Sequence, residues 1–102
     1  MAPKRPRTER RARERAARAL VRDREKLAAM SPGGARERPF IVETSAVIEP
    51  RVRAMPCPQC EGGFRIIDHA SEGAGLRRVD VVCQQCTAPR ALWFRIVEAE
   101  PN

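Results

Sequence analysis

The sequence contains few aromatic residues. Among its 102 residues there are three phenylalanines, one tryptophan and no tyrosine. A folded region shorter than about 70 to 80 residues rarely supplies enough stability from its core alone. With so few large side chains available for burial, the folded part of this chain is expected to need a second source of stability.

The chain also lacks long apolar runs. No stretch approaches the roughly 18 residues of a membrane span, and residues 1–30 contain no apolar segment of the kind found in secretory signals. These absences argue against a membrane protein and a secreted one. We therefore expect a cytoplasmic protein with no membrane partner.

Only four cysteines are present, and they form two Cys-x-x-Cys pairs with 22 residues between them. They are Cys57, Cys60, Cys83 and Cys86. This spacing is typical of a tetrahedral thiolate metal site. Because four protein ligands leave no open position for a substrate, the pattern predicts one structural Zn²⁺ rather than a catalytic ion. Iron also suits four thiolates, and zinc is favoured over it only because zinc is the commoner metal in such sites.

The cysteines have two other interpretations, as disulfides and as a redox pair. Two disulfides belong to oxidising compartments, which the absence of a signal segment disfavours. A redox-active Cys-x-x-Cys needs a βαβ setting and leaves the second pair unexplained. The metal site remains the leading prediction.

The net charge lies entirely in the first 30 residues. Residues 1–30 hold eleven basic and four acidic side chains, whereas residues 31–102 hold nine of each, so the formal charge of +7 belongs to the N-terminal segment. A partner of opposite charge is expected to contact this segment first.

This basic arm, residues 1–30, is predicted to be helical from about residue 8. Good helix formers dominate it, no proline or glycine interrupts them, and Pro32-Gly33-Gly34 ends the pattern. On a 3.6-residue period, six basic residues form a stripe about 29 Å long. This basic stripe consists of Arg7, Arg11, Arg15, Arg18, Arg22 and Lys26. A narrow apolar seam on another side is expected to dock weakly on the rest of the protein; it consists of Ala12, Ala16, Ala19, Leu20, Leu27 and Met30.

Two interpretations of the basic stripe stay open. Like charges at i,i+4 destabilise a helix by about 0.2–0.5 kcal/mol per pair, so the stripe is best explained if phosphates neutralise it, through sequence-independent contact with RNA or DNA. The alternative is a solvated helix in a chain with an arginine bias, 18 Arg to 2 Lys. If translation starts at Met30, the natural product lacks residues 1–29.

Residues 31–39 are predicted to form a linker, and a β pattern begins at Phe40. Three short strands are predicted before the first cysteine pair, with Pro50 at a sheet edge or break. They are Phe40–Glu43, Ala46–Glu49 and Arg51–Met55.

Three longer strands are predicted around the cysteines. Phe64–His69 and Leu76–Val82 form a hairpin whose turn contains two glycines, and Ala91–Val97 follows the second cysteine pair. In the last strand Leu92, Phe94 and Ile96 share one face, whereas Trp93, Arg95 and Val97 share the other.

Two cysteine knuckles joined by a hairpin and followed by a third strand resemble a zinc ribbon over residues 55–97. The first knuckle, Cys57–Gly62, has the Cys-Pro-x-Cys-x-Gly form typical of that superfamily. The second has Thr87 where glycine is usual, which leaves the tightness of its turn open. The resemblance implies a three-stranded antiparallel sheet around one Zn²⁺, with sulfurs that accept backbone N–H bonds. Ribbons serve in transcription factors, ribosomal proteins, polymerase subunits and enzyme appendages, so no single function follows.

Two families that share parts of this pattern differ from the chain at defined positions. The transcript-cleavage factor of RNA polymerase II is similar in knuckle spacing and in an aromatic-basic third strand, like Trp93-Phe94-Arg95, but acts through two adjacent acids at its hairpin tip. Here the tip has Glu72 alone, so that activity is not implied. Rubredoxins also have paired knuckles, but the second knuckle here lacks their usual proline and glycine.

Two single residues remain. His69 lies next to Asp68 in the sequence, and a histidine paired with a carboxylate can act as a general base. Adjacent residues on a strand point to opposite faces, however, so the two are not expected to pair, and a surface or hairpin histidine is favoured. Trp93 is interpreted either as a core residue or as an exposed platform for a nucleic-acid base, with Arg95 reaching phosphate.

We therefore predict a small, mainly β protein, with a zinc-ribbon domain at residues 40–102 that carries additional short N-terminal strands, and a separate N-terminal helix. We expect that it is not an enzyme and that it has no small-molecule substrate. The leading hypothesis is a nucleic-acid-associated accessory factor that uses the basic stripe with Trp93 and Arg95. The rival is a protein-interaction module of a larger assembly, docking through Phe40–Ile48 or the apolar seam; a minor alternative is a rubredoxin-like electron carrier.

Overall fold

The first element of the computed structural model, which describes residues 6–97, is the helix α1 (Pro6–Met30). None of its residues is buried. At its C-terminal end the Ser31 hydroxyl donates to the Leu27 carbonyl at 2.7 Å, and the Arg38 guanidinium donates to the Ala29 carbonyl at 2.9 Å. These bonds pair two of the carbonyls that a helix end leaves without intrahelical donors.

A four-stranded mixed sheet forms the body of the protein. Its strands are β1 (Phe40–Val42), β2 (Phe64–Ser71), β3 (Leu76–Cys83) and β4 (Pro89–Ile96), in the order β1-β4-β3-β2. The strands β2, β3 and β4 pair in antiparallel fashion, as predicted, whereas β1 lies parallel to β4. The sheet is therefore mixed, and not the purely antiparallel sheet that the resemblance implied.

The segment between α1 and β1 brings β1 alongside β4. Gly33 is buried with a φ of 79°, and its carbonyl accepts the Trp93 N–H at 2.8 Å. A Cβ atom at this position would lie 2.2 Å from the Phe40 ring, so only glycine lets the chain pass here. The Phe40 ring then packs on Phe94, with ring centroids 5.3 Å apart.

The predictions of strands at residues 46–49 and 51–55 are wrong. The chain instead forms a 3₁₀ turn, Ser45–Val47, followed by the helix α2 (Ile48–Ala54). The Thr44 hydroxyl accepts the Ala46 N–H at 3.3 Å and so starts the turn. Ile48 and Val52, four residues apart, are both 0 % exposed, whereas Pro50 between them is exposed. A strand would place all three on one face, so this burial has a helical period.

Pro50 is consistent with this correction. It stands in the first turn of α2, where a residue without an N–H loses no intrahelical bond. The β-branched residues around it favoured strands locally, but burial of one helical face against the sheet outweighs that preference.

The core lies between α2 and one face of the sheet. Its buried side chains come from α2, from all four strands and from both knuckles, and they are Val42, Ile48, Val52, Cys57, Phe64, Val79, Val81, Cys83, Leu92 and Phe94. The opposite face of the sheet, the outer face, carries Trp93, with Arg78 and Asp80 on β3. Among residues 6–97 no helix is long and apolar enough to cross a membrane.

Candidate metal centre and the surfaces around it

The fold brings the four cysteines together. Their sulfur atoms all lie within 4.8 Å of one another, with Cys57 Sγ 3.8 Å from Cys86 Sγ and Cys60 Sγ 3.4 Å from Cys83 Sγ. A tetrahedral ion with metal–sulfur bonds of about 2.3 Å separates its ligands by roughly 3.8 Å. The cluster can therefore hold one metal ion.

The two knuckles repeat the same backbone geometry. In the first, the Glu61 N–H donates to the Cys57 carbonyl at 2.8 Å; in the second, the Thr87 N–H donates to the Cys83 carbonyl at 3.0 Å. Glu61 and Thr87 occupy equivalent left-handed positions, with φ of 65° and 64°. Thr87 therefore corresponds to Glu61, and the same hydrogen bond closes both turns. The Cys57 and Cys83 N–H groups donate to the carbonyls of Gly62 and Ala88, so Ala88 takes the place of Gly62 in the second knuckle.

Gly62 is required because the other knuckle approaches it closely. Its φ lies outside the left-handed region, but a Cβ atom would meet the Gln85 Cβ at 2.8 Å and the Cys83 sulfur at 3.1 Å. The neighbouring Gly63 has far more room, since its nearest contact is 3.8 Å away, at the Gln84 side chain.

Replacing Gly62 is therefore expected to weaken metal binding without removing a ligand. Gly62→Ala pushes the knuckles apart, and we expect metal affinity to fall about 10- to 100-fold, the usual effect of disturbing groups that orient ligands. Gly63→Ala is the matched control and should leave affinity unchanged. Competition with a chromogenic chelator measures both; equal affinities for the two variants would contradict the assigned role of Gly62.

Backbone N–H groups surround the sulfurs and tune their protonation. The N–H of Cys86 and then that of Gln85, each 3.4 Å from Cys83 Sγ, lower the pKa of Cys83 to about 6. Although the Ala88 N–H acts in the opposite direction, desolvation and the three other sulfurs raise the pKa of Cys86 to about 11. A metal requires four thiolates, so binding must release the proton of Cys86 and is expected to weaken as the pH falls.

The helix α1 docks on the first knuckle through one residue, Gln59. The Gln59 side-chain amide donates to the Val21 carbonyl at 3.0 Å and to Glu25 Oε1 at 2.8 Å, and the backbone carbonyl of Gln59 accepts from the Arg24 guanidinium at 2.8 Å. The Gln59 N–H itself points at Cys57 Sγ, 3.4 Å away. The position of α1 is thus tied to the backbone of the metal site.

A charged pair completes this contact. The Arg90 guanidinium donates to both carboxylate oxygens of Glu25, at 2.6 and 3.1 Å, and its side chain is only 10 % exposed. Arg90 and then Gln59 hold the pKa of the Glu25 carboxyl below its usual value. Sequence reasoning missed both partners of Glu25, because they lie 34 and 65 positions away along the chain and no local pattern marks such a contact.

The apolar seam does not form the docked face, contrary to the prediction. Leu27 and Met30 are 68 % and 70 % exposed, and Leu20 is also largely exposed. The polar contacts of Arg24 and Glu25 hold the helix instead. Between α1 and the sheet lies an apolar cavity of about 360 Å³, lined in part by Leu27, Phe64 and Leu92.

The basic stripe lies on the exposed surface of α1. All six of its members are exposed, and none of them forms an ion pair with any residue that the structure describes. The first hydrogen bond from α1 to the body, among the residues that the structure describes, is at Val21, so most of the stripe lies N-terminal to the hydrogen-bonded part of the helix.

The structure places Trp93 and Arg95 on the outer face. Trp93 is half-buried and outside the core, with the Arg36 guanidinium 5.8 Å from its ring centroid. The core interpretation of Trp93 is therefore wrong. The Arg95 guanidinium donates to the Ala74 carbonyl in the hairpin turn at 3.2 Å.

His69 faces the core side, where sequence reasoning missed its partner. It pairs with Val79, whereas Asp68 pairs with Asp80 one step along the ladder, so the two neighbours point to opposite faces. The carboxylate that His69 contacts is instead that of Glu49 on α2, 3.2 Å from Nδ1. This contact links α2 to β2.

Comparison of the chain with family models, curated proteins and solved structures finds no match in any of the three. The fold and the site therefore define the class on their own: a small protein with a four-stranded mixed sheet, helices and a four-cysteine cluster that can hold a metal ion.

Proposed function

We propose that this protein is a non-catalytic zinc protein of the zinc-ribbon type, which binds nucleic acid as an accessory factor. One structural Zn²⁺ is held by Cys57, Cys60, Cys83 and Cys86. Four thiolate ligands fill the coordination sphere, and an ion so held has no place for a substrate or an attacking water. The protein therefore acts through the surfaces that the metal-stabilised domain holds in place.

The observation that carries the nucleic-acid proposal is the exposed basic stripe. Its six cations repeat along about 29 Å of one helical face, unpaired with the described acidic groups, while Glu25 turns away to Arg90. Cations in such a row repel each other, and phosphates of a nucleic-acid backbone relieve that repulsion with release of counterions. The partner is RNA or DNA.

Binding by two forms of the protein tests this proposal. We expect full-length protein to bind labelled RNA or DNA at low salt, and a chain beginning at Met30 to bind far more weakly because it lacks the stripe. Fluorescence anisotropy measures both. Absence of binding by the full-length protein would refute the proposal, and equal binding by both forms would refute the role of the stripe.

A second candidate function is docking on a larger protein assembly, and it has an observation of its own. The apolar seam leaves Leu20, Leu27 and Met30 exposed beside an apolar cavity of about 360 Å³. Exposed apolar groups concentrated in one place are typical of interaction sites. The rubredoxin-like alternative requires iron, so the absorbance spectrum of the purified protein separates it from both.

A further inference from the structure

A cleft of about 210 Å³ lies between α1 and the outer face of β4. Trp93 and Ala91 line its strand side, Ala29 and Glu25 line its helix side, and Arg90 also contributes to the lining. The cleft thus combines an aromatic surface with a carboxylate and a guanidinium.

The cleft lies at the C-terminal end of the basic stripe. Ala29 lies three residues after Lys26 and seven after Arg22, which places all three on one face of α1. The C-terminal end of the stripe therefore borders the cleft. Above Trp93, the exposed Arg36 adds a further cation 5.8 Å from the ring.

This juxtaposition suits a single strand better than a duplex. Aromatic side chains stack on bases that are free of their own stack, and a basic groove beside them tracks the backbone. In a duplex the bases are stacked on each other, so no base is free to enter the cleft and stack on the indole ring.

We propose that the protein binds single-stranded nucleic acid, with the backbone along the basic stripe and one unstacked base in the cleft against Trp93. This inference rests on the proposed function and names its ligand class. Arg36 contacts the phosphate next to the inserted base, and Glu25, whose side chain is 46 % exposed beside its partner Arg90, offers a carboxylate oxygen to the edge of the base.

Intrinsic fluorescence tests the inference on the whole protein, because Trp93 is its only tryptophan. Oligo-U, oligo-dT and a duplex of matched length are titrated at low salt, with binding followed independently by anisotropy of a label on the nucleic acid. We expect a single strand to quench the Trp93 emission and a duplex to leave it unchanged. The oligo-U and oligo-dT arms distinguish RNA from DNA.

Substitutions in the cleft supply the second readout. Trp93→Leu is expected to weaken single-strand binding about 5- to 100-fold, the loss typical of one stacked base, while Trp93→Phe retains most of the affinity. Ala29→Gln fills the cleft from the helix side while every residue of the sheet stays unchanged, and it should weaken binding as well. Its matched control is Ala17→Gln, at an exposed position of the same helix away from the cleft; it should bind like the unchanged protein.

The outcomes separate the two proposals. If the protein binds single strands through the stripe but Trp93 emission stays constant and Ala29→Gln binds normally, the cleft inference is overturned and the proposed function stands. Equal affinity for duplex and single strand also overturns the inference alone. If the full-length protein binds no nucleic acid at low salt, both are overturned.

Discussion

Removal of the metal is expected to unfold the sheet and its core. Cys57 and Cys83 are themselves buried members of that core, 1 % exposed each. Loss of the metal therefore leaves their sulfurs without their bonding partner inside the core and disturbs the packing of the neighbouring side chains. Structural zinc contributes on the order of 10 to 16 kcal/mol in finger peptides, more than the roughly 5 to 15 kcal/mol net stability of a typical domain. The few aromatic side chains of this core are not expected to compensate for the loss.

Circular dichroism with a chelator measures this. The β signal should disappear with the metal and return when Zn²⁺ is added, whereas the same chelator loaded with Zn²⁺ beforehand should change nothing. Because Gln59 joins the first knuckle to α1, the helix should also lose its docked position. A protein that keeps its β signal after elemental analysis shows the metal gone would contradict the prediction.

Neutralising the basic stripe is expected to change the salt dependence of nucleic-acid binding. Six phosphate contacts predict a slope of log K against log salt near −4 for a single strand and near −5 for a duplex. Between roughly 50 and 200 mM salt the affinity should therefore fall about 300-fold for a single strand and about 2,000-fold for a duplex. Each cation removed from the contact should reduce the slope by about one.

Two double variants with equal charge changes isolate the stripe. Arg11→Gln with Arg15→Gln removes two stripe cations and should reduce the slope by about two. Arg10→Gln with Arg13→Gln removes two exposed cations from another side of the same helix and should leave the slope nearly unchanged. If both pairs lower the slope equally, binding depends on the net charge of α1 and not on the arrangement of its arginines.

The regular patterns of the sequence predicted the elements that depend on local chemistry. The Cys-x-x-Cys spacing predicted one four-sulfur cluster, since ligand spacing is a property of the turns themselves, and the structure gathers those sulfurs. The hairpin and the last strand were found because their alternation is regular, and Leu92 and Phe94 are buried as that alternation requires.

The errors have one cause, which is that local preference was applied where tertiary contacts decide. Ile48 and Val52 are β-branched residues, which favour strands. They nevertheless lie on one face of a helix, because that face is buried against the apolar side of the sheet. Trp93 has the size of a core residue but lies half-buried on the outer face of β4, outside the core. The parallel β1 depends on the close passage of Gly33 beside Phe40, which no periodicity shows.

By itself, the sequence determined the metal ligands to be expected, the helical arm with its arginines on one face, and the antiparallel strands around the knuckles. These follow from the spacing of residues along the chain. Only the tertiary structure decided that α1 docks through Gln59 and Arg90 and that its basic stripe ends beside a cleft containing Trp93. Those contacts join residues up to 65 positions apart, and their geometry exists only once the sheet has formed around the cysteine cluster.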